Sequence, residues 1–313
     1  MNATRCAGGE TKRTASSVAR SRMRGGWREV AFTADWDRVV MIHLEVDPGA
    51  LAAAVPFELD LWDGRAFVTL VAFTMRGMKP VLGGALGAWL FRPIATHRFL
   101  NVRTYVKSGE EVGIHFLAEW LSNGIAVRLG PPTFGLPYRH GELEYAHGED
   151  WGASPSCGTV TMHRASPVSA RARDVGSRHW NAELRADKSE LSPEDCHVLT
   201  GRVMDRGTGL ELSYRARVEG ATVAVPCERG SLEEWLMERY TAYTVRRGVP
   251  GQFRVWHEPW PKVDLSVDGL DKELLEATWP WMRESRGVGA QYSPGVKGVW
   301  MGWPRWERAR RRS

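Results

Sequence analysis

The 313 residues hold 42 Lys and Arg against 37 Asp and Glu, with 43% apolar and 10% aromatic side chains. That content excludes bulk disorder, and the length allows one large domain or two small ones. The net charge of +5 sits at the chain ends: residues 1–26 carry +5 and residues 305–313 carry +4, which leaves the body at −4 and argues against a folded nucleic-acid-binding surface.

Residues 1–26 read as a disordered basic leader. Residues 27–262 read as a β-barrel domain, and residues 263–313 as a helical, Trp-rich extension packed on it, with a basic tail from about 305. The longest gentle apolar run, Val81 to Phe91, is too short to span a bilayer. Cys6, Cys157, Cys196 and Cys227 form no Cys-x-x-Cys pair and read as thiols of a reducing compartment. The expectation is a soluble, cytoplasmic protein with no membrane and no nucleic-acid partner.

In chain order, Val39 to Val46 reads as a strand with Val40, Ile42, Leu44 and Val46 on one face and Met41, His43 and Glu45 on the other. Asp47 caps a short helix with Pro48 in its first position, and Pro56 stops it. Asp63-Gly64 is a hairpin signal that feeds Arg65 to Met75, an apolar run typical of a strand buried on both faces. Gly77 to Pro93 is a Gly-rich apolar connection that covers a pocket mouth or packs as a short helix. Asn101–Lys107, Val112–Leu121 and Ile125–Leu129, joined by turns at Ser108-Gly109 and Asn123-Gly124, predict an antiparallel meander, and Gly130-Pro131-Pro132 then breaks the chain.

Further strands are expected near Gly141–His147, Gly158–His163, Arg178–Leu184, Leu210–Val218 and Thr222–Val225, with Arg185–Gly209 polar and weakly patterned. Ser231-Leu232-Glu233-Glu234 is a capping box, and Leu232, Trp235, Leu236, Tyr240 and Tyr243 predict one helix to about Arg247. A strand over Gln252–His257 and a helix over Asp268–Trp279 complete the reading. The class is mainly β with appended helices, α+β, organised as an antiparallel barrel.

No dinucleotide, Walker-type, nucleophile-elbow or His-Glu-x-x-His motif is present, so those chemistries lack their usual scaffolds. No cofactor and no metal site is expected. Same-face spacing pairs His43 with Glu45 and His115 with Glu119 as a general-base cluster, against the plainer reading of a polar sheet face. Asn101, Arg103 and Tyr105 alternate with Val102, Thr104 and Val106; if the first set faces inward, Arg103 needs a carboxylate from Glu119, Glu45 or a ligand.

Asn101-Val102-Arg103-Thr104-Tyr105-Val106, Gly113-Ile114-His115-Phe116 and Gly135-Leu136-Pro137-Tyr138 resemble the YqjF-like family, a domain of unknown function numbered 2071. Glu238-Arg239-Tyr240, His257-Glu258-Pro259-Trp260-Pro261 and Tyr292-Ser293-Pro294-Gly295-Val296 extend the resemblance over about Trp27 to Trp303. It implies the acetoacetate decarboxylase fold, a barrel with a central pocket. In that enzyme a lysine after a Gly-x-Pro turn forms a Schiff base with a keto acid. Here the turn Gly135-Leu136-Pro137 is followed by Tyr138-Arg139, and neither can do so.

The candidate catalytic residues are therefore Tyr138, Arg139, His115 and Glu119, with Arg103, Tyr105 and Asn101 as ligand-binding groups. The expected function is a small-molecule binding protein or non-Schiff-base enzyme acting on a small carboxylate-bearing ligand. Two alternatives stand beside it. One is an interaction protein that uses Trp279, Trp281, Trp300, Trp303 and Trp306, with a homo-oligomer left open; the other is a decarboxylase or aldolase that uses a displaced lysine.

Overall fold

β1 (Val30–Val46) begins the sheet and is central to it, and a computed structural model describes residues 14–24, 29–148, 198–219 and 223–307. The expected strands at Gly158–His163 and Arg178–Leu184 lie outside the described residues, as do Cys6, Cys157 and Cys196. Asp47 accepts from Ala50 N at 2.7 Å and caps α2 (Pro48–Ala54). β2 (Glu58–Leu59) is short. The Asp63-Gly64 turn, with φ of 49° and 76°, leads into β3 (Ala66–Pro80). The Gly-rich connection folds as α3 (Gly84–Phe91), whose Leu86, Trp89 and Leu90 remain exposed. Then come β4 (His97–Ser108), β5 (Glu111–Leu121), α4 (Gly124–Phe134), β6 (Tyr138–Ala146), β7 (Val198–Asp205) and β8 (Glu211–Val218). The chain closes with α5 (Leu232–Met237), β9 (Thr241–Arg246), β10 (Val249–Trp256), β11 (Val263–Asp271), α6 (Glu273–Thr278), β12 (Arg286–Gly302) and β13 (Arg305–Trp306).

The pairings run round into two closed circuits. One follows β3–β1–β12–β11–β8–β7–β6–β5–β4; the other follows β5–β9–β10–β12–β1–β3–β4. They share β12, β1, β3, β4 and β5, so these strands are covered on both faces. That sharing explains the largely apolar first half of β3. Val40, Ile42, Leu44, Val68, Leu70, Leu100 and Val102 face the first circuit with Trp120, Leu143 and Val203. Met41, Val71, Phe73, Phe99 and Leu121 face the second, with Phe67, Tyr105, Ile114, Phe116 and Phe253 further along it.

Several expectations are corrected. The sheet is not wholly antiparallel, because β5 pairs in parallel with both β6 and β9. A parallel pair needs a crossover, and α4 supplies it. Asn123-Gly124 is thus a helix start and not a hairpin: the Asn123 side chain accepts from Ile125 N and Ala126 N, both at 3.0 Å, and the expected Ile125–Leu129 strand and Pro131-Pro132 break fall within the helix.

The capping-box helix ends at Met237, ten residues early; Ser231 accepts from Glu234 N at 3.1 Å, but the Glu234 carboxylate takes Gly230 N at 2.7 Å. Tyr240 and Tyr243 follow in extended chain, because β-branched Thr241, Thr244 and Val245 gain ladder partners on β10. The helix expected over Asp268–Trp279 shrinks to α6, and residues within the polar Arg185–Gly209 stretch form β7. Val225 makes only an isolated bridge to Lys262.

The leader is not wholly disordered: α1 (Ala15–Arg24) packs Ala19 and Met23 on Trp256, and Ser16 donates to His257 O at 2.8 Å. Nor is 263–313 an appended helical segment, since β12 runs between β1 and β11. Of its tryptophans only Trp303, 51% exposed, presents a large open surface; Trp279 and Trp281 pack on the core, and Trp300 meets Trp256 at 4.7 Å.

Candidate functional site

The odd-numbered face of β4 carries Phe99, Asn101, Arg103 and Tyr105 into the second circuit, while Leu100, Val102 and Val106 enter the first. Asn101 stands opposite Glu119 in the β4–β5 register, and Arg103 opposite Phe116. Cβ atoms of directly opposed residues lie about 5 Å apart. Parallel pairing places Tyr138 beside Glu119, and the Tyr138 ring meets Phe99 edge-on at 6.1 Å. Gly130 on α4 makes room for that ring, since a Cβ there would lie 2.2 Å from Tyr138 Cε2. Five of the seven candidates, Asn101, Arg103, Tyr105, Glu119 and Tyr138, therefore share one enclosed region.

His115 and Arg139 do not. A bulge at Leu117 shifts the register between Val102 and Arg103, so His115 pairs with Thr104 and leaves the face of Glu119. The His115 ring meets Phe57 at 5.1 Å, and its Nδ1 lies 3.0 Å from Tyr243 O. Arg139 is exposed and lies over Trp120 at 5.4 Å. Glu45 is likewise separate from His43, being ion-paired to Arg65 at 2.7 Å.

His43 instead joins a buried chain. Its Nε2 lies 2.7 Å from Gln291 Oε1 and its Nδ1 2.8 Å from Thr69 Oγ1. Thr69 Oγ1 is 2.6 Å from the Tyr105 hydroxyl, which reaches Leu236 O at 2.9 Å. Arg103 Nη2 donates to the same carbonyl at 3.1 Å. Leu236 lies in the last turn of α5, where carbonyls lack partners within the helix and accept cations well. Sequence reading missed Thr69, Gln291 and this carbonyl. A lone Thr within the apolar Phe67–Phe73 run was the available signal.

Burial holds His43 down to about 3; the Gln291 bond opposes this and the Arg103 charge adds to it, so the ring is neutral. A neutral ring that gives its N–H to Gln291 must accept from Thr69. Two hydroxyl protons then serve three contacts, His43–Thr69, Thr69–Tyr105 and Tyr105–Leu236, so the chain is one proton short. Turning the Gln291 amide over restores the count but surrenders its 3.2 Å bond to Asp264.

The other polar groups have open valences. Arg103, 7% exposed, has no carboxylate within 4.0 Å among the described residues, and its Nε is unpartnered. Glu119, 3% exposed, has an unpartnered Oε2, as Asn101 has an unpartnered Oδ1. Burial pushes the Glu119 carboxyl well above 4.5, and burial followed by the Glu119 charge pushes the Tyr138 phenol up. Arg103 thus keeps an unused N–H donor and Glu119 an unused carboxyl oxygen among the described residues.

The raised Glu119 value has a stability consequence. Below 4.5 the carboxyl is protonated in both folded and unfolded chains; as pH rises above that, the unfolded chain releases its proton first and folding weakens. The slope is about 1.4 kcal/mol per pH unit until the folded carboxyl itself titrates. Glu119→Gln removes this term, so its stability advantage over the parent is expected to widen from pH 5 to pH 8 in urea unfolding. Parallel pH–stability curves would show that Glu119 ionises freely in the fold.

The described lysines lie elsewhere. Lys79 and Lys297 are exposed, Lys107 pairs with Glu58 at 3.0 Å, Lys262 with Asp264 at 2.7 Å, and Lys272 with Glu276 at 3.5 Å. Among the described residues no group of three His, Cys, Asp or Glu is placed to hold a metal ion. No helix among them is long and apolar enough to cross a membrane. Among the described residues, the five clustered candidates line neither the cleft at Asn123, Ile125 and His140 nor the cleft at Arg38, Arg76 and His97.

Residues 33–297 match the family described as an uncharacterized conserved protein, DUF2071. The uncharacterized protein YqjF of Bacillus subtilis (strain 168) is 24% identical over 231 residues, 72% of each chain. An acetoacetate decarboxylase-like enzyme from Sphingomonas wittichii RW1 superposes with a TM-score of 0.52 at 14% identity, over 90% of this chain and 94% of that one. Acetoacetate decarboxylase from Legionella pneumophila gives 0.53 at 8% identity, over 89% and 87%. The enduracididine biosynthesis enzyme MppR, complexed with the condensation product of pyruvate and imidazole 4-carboxaldehyde, gives 0.52 at 13% identity, over 88% of each chain. These likenesses show the fold: mainly β, few helices, acetoacetate decarboxylase-like.

Proposed function

Since the chain belongs to the DUF2071 family and shares its fold with enzymes of the acetoacetate decarboxylase type, we propose that it takes a small carboxylate-bearing molecule into the second circuit, without a Schiff base. The observation that carries this reading is Arg103, a buried guanidinium with a carbonyl but no carboxylate among its described partners. A buried cation without a counter-ion is costly, and a ligand carboxylate offsets that cost in the two-pronged geometry guanidinium favours. Asn101 and protonated Glu119 face the same region and suit a ligand carbonyl or hydroxyl. MppR, a neighbour in fold, is described in complex with the condensation product of pyruvate and imidazole 4-carboxaldehyde, which supports this reading. The enclosed space is read as the barrel pocket of that fold.

Titration of the full chain with pyruvate and with its amide tests the reading. Pyruvate is expected to raise the thermal midpoint saturably and the amide is not; equal effects, or none, would overturn it. Borohydride added with pyruvate is expected to leave every lysine unlabelled by mass spectrometry. A labelled lysine would establish the Schiff-base alternative instead.

A further inference from the structure

A second concentration of chemistry lies apart from the enclosed region, beside Arg38 in the middle of β1, Arg76 on β3 and the first residues of β4. A polar cleft of about 290 Å³ opens there between Arg38, Arg76, Arg98, His97 and His147. Asp37 is the one carboxylate reaching these arginines among the described residues, accepting from Arg38 Nε at 3.2 Å and Arg76 Nε at 2.8 Å. Arg38 also donates to Gly148 O at 3.3 Å, and Arg98 Nη1 to Leu143 O at 2.9 Å. A guanidinium has five N–H donors, so all three keep donors unspent. Three cations against one anion leave a surplus of about two positive charges.

His97 supplies the second observation. The residue is 6% exposed and lines the cleft, and neither ring nitrogen makes a hydrogen bond of good geometry, although the Ile94 backbone interacts with the ring. It is held by Phe99, with ring centroids 4.6 Å apart. A buried imidazole without well-formed hydrogen bonds is expensive unless something from outside meets it. His147 is already committed, to Tyr214 OH at 2.6 Å and Arg38 O at 2.8 Å, and so helps fix the wall.

We propose that this cleft is a binding site for a phosphate group, free or esterified to a small molecule, clamped by Arg38, Arg76 and Arg98, with His97 in its wall. The surplus charge matches a dianion, and guanidinium forks match its oxygens. The volume of about 290 Å³ admits a phosphate with a small substituent. Nothing in the argument depends on Arg103, which lies in the enclosed region.

The test uses the full chain at fixed ionic strength, titrated with inorganic phosphate and with methyl phosphate by calorimetry, and watched by phosphorus NMR. Saturable binding of both is expected, weakened about tenfold or more by Arg98→Gln and by Arg76→Gln. Tighter binding of methyl phosphate would identify an esterified ligand, and tighter inorganic phosphate the free ion. Arg215→Gln, an exposed arginine on β8, is expected to leave binding unchanged, as is Arg103→Met. Absence of saturable binding overturns the proposal, and so does an equal loss in Arg215→Gln, which would mean only that net charge matters. Should Arg98→Gln unfold, Arg76→Gln alone decides by the same criterion.

Discussion

Arg103→Met is expected to raise stability and abolish carboxylate binding together. The guanidinium is buried, and its hydrogen bond to Leu236 O is duplicated by Tyr105, which reaches the same oxygen at 2.9 Å. Methionine of similar length removes the desolvation penalty, while the carbonyl retains a partner. A gain of about 1–3 kcal/mol is the expected balance, visible as a thermal midpoint a few degrees higher. Pyruvate affinity should fall by about 100-fold or more, because the ligand carboxylate would then be buried against a thioether. His43 should also titrate higher, since the Arg103 charge contributes to its depression. A variant that binds within about threefold of the parent would remove Arg103 from the ligand site. One that unfolds would show that the guanidinium is structural.

Gly295→Ala is expected to be the most damaging single-methyl change in the sheet. Gly295 has φ of +116°, and a Cβ there would lie 2.2 Å from Trp36 O and 3.0 Å from Asp37 Cα. Both atoms belong to the backbone of β1, so a rotamer change cannot relieve the overlap. The expected loss is about 4 kcal/mol or more, combining left-handed strain with displacement of the β1–β12 pairing. Gly298→Ala, at φ of +61° with open space around the new methyl, is the matched control and should lose only about 1 kcal/mol. Equal losses in the two variants would refute the steric argument. The Tyr292–Val296 motif would then owe its form to something other than this close approach. With the argument upheld, the motif marks how two central strands pass one another.

Much of the candidate site was legible because strand alternation is a local property. The spacing of Asn101, Arg103 and Tyr105 puts them on one face whatever the strand pairs with, and the fold turned that face inward. His115 and Glu119 followed the same rule and were separated, because one extra residue at Leu117 exchanges the faces beyond it. Arg139 failed for a related reason: it follows Tyr138 directly on β6, so only one of the two can enter the same enclosure. Thr69, Gln291 and Leu236 O come from three distant segments. Their meeting at His43 and Tyr105 depends on closure of the sheet.

By itself, the sequence determined the class of most elements, the two-faced burial of β3, the shared face of Asn101, Arg103 and Tyr105 on β4, and the family. These follow from periodicity, turn chemistry and side-chain type, which act over a few residues. The tertiary structure decided where helices gave way to strands, as at Thr241–Arg246, and which neighbours β5 accepted in parallel. It also decided which polar groups remained without partners. Those outcomes depend on hydrogen-bond partners far away in the chain, and a free-energy choice made across the sheet leaves no local mark on the residues that obey it.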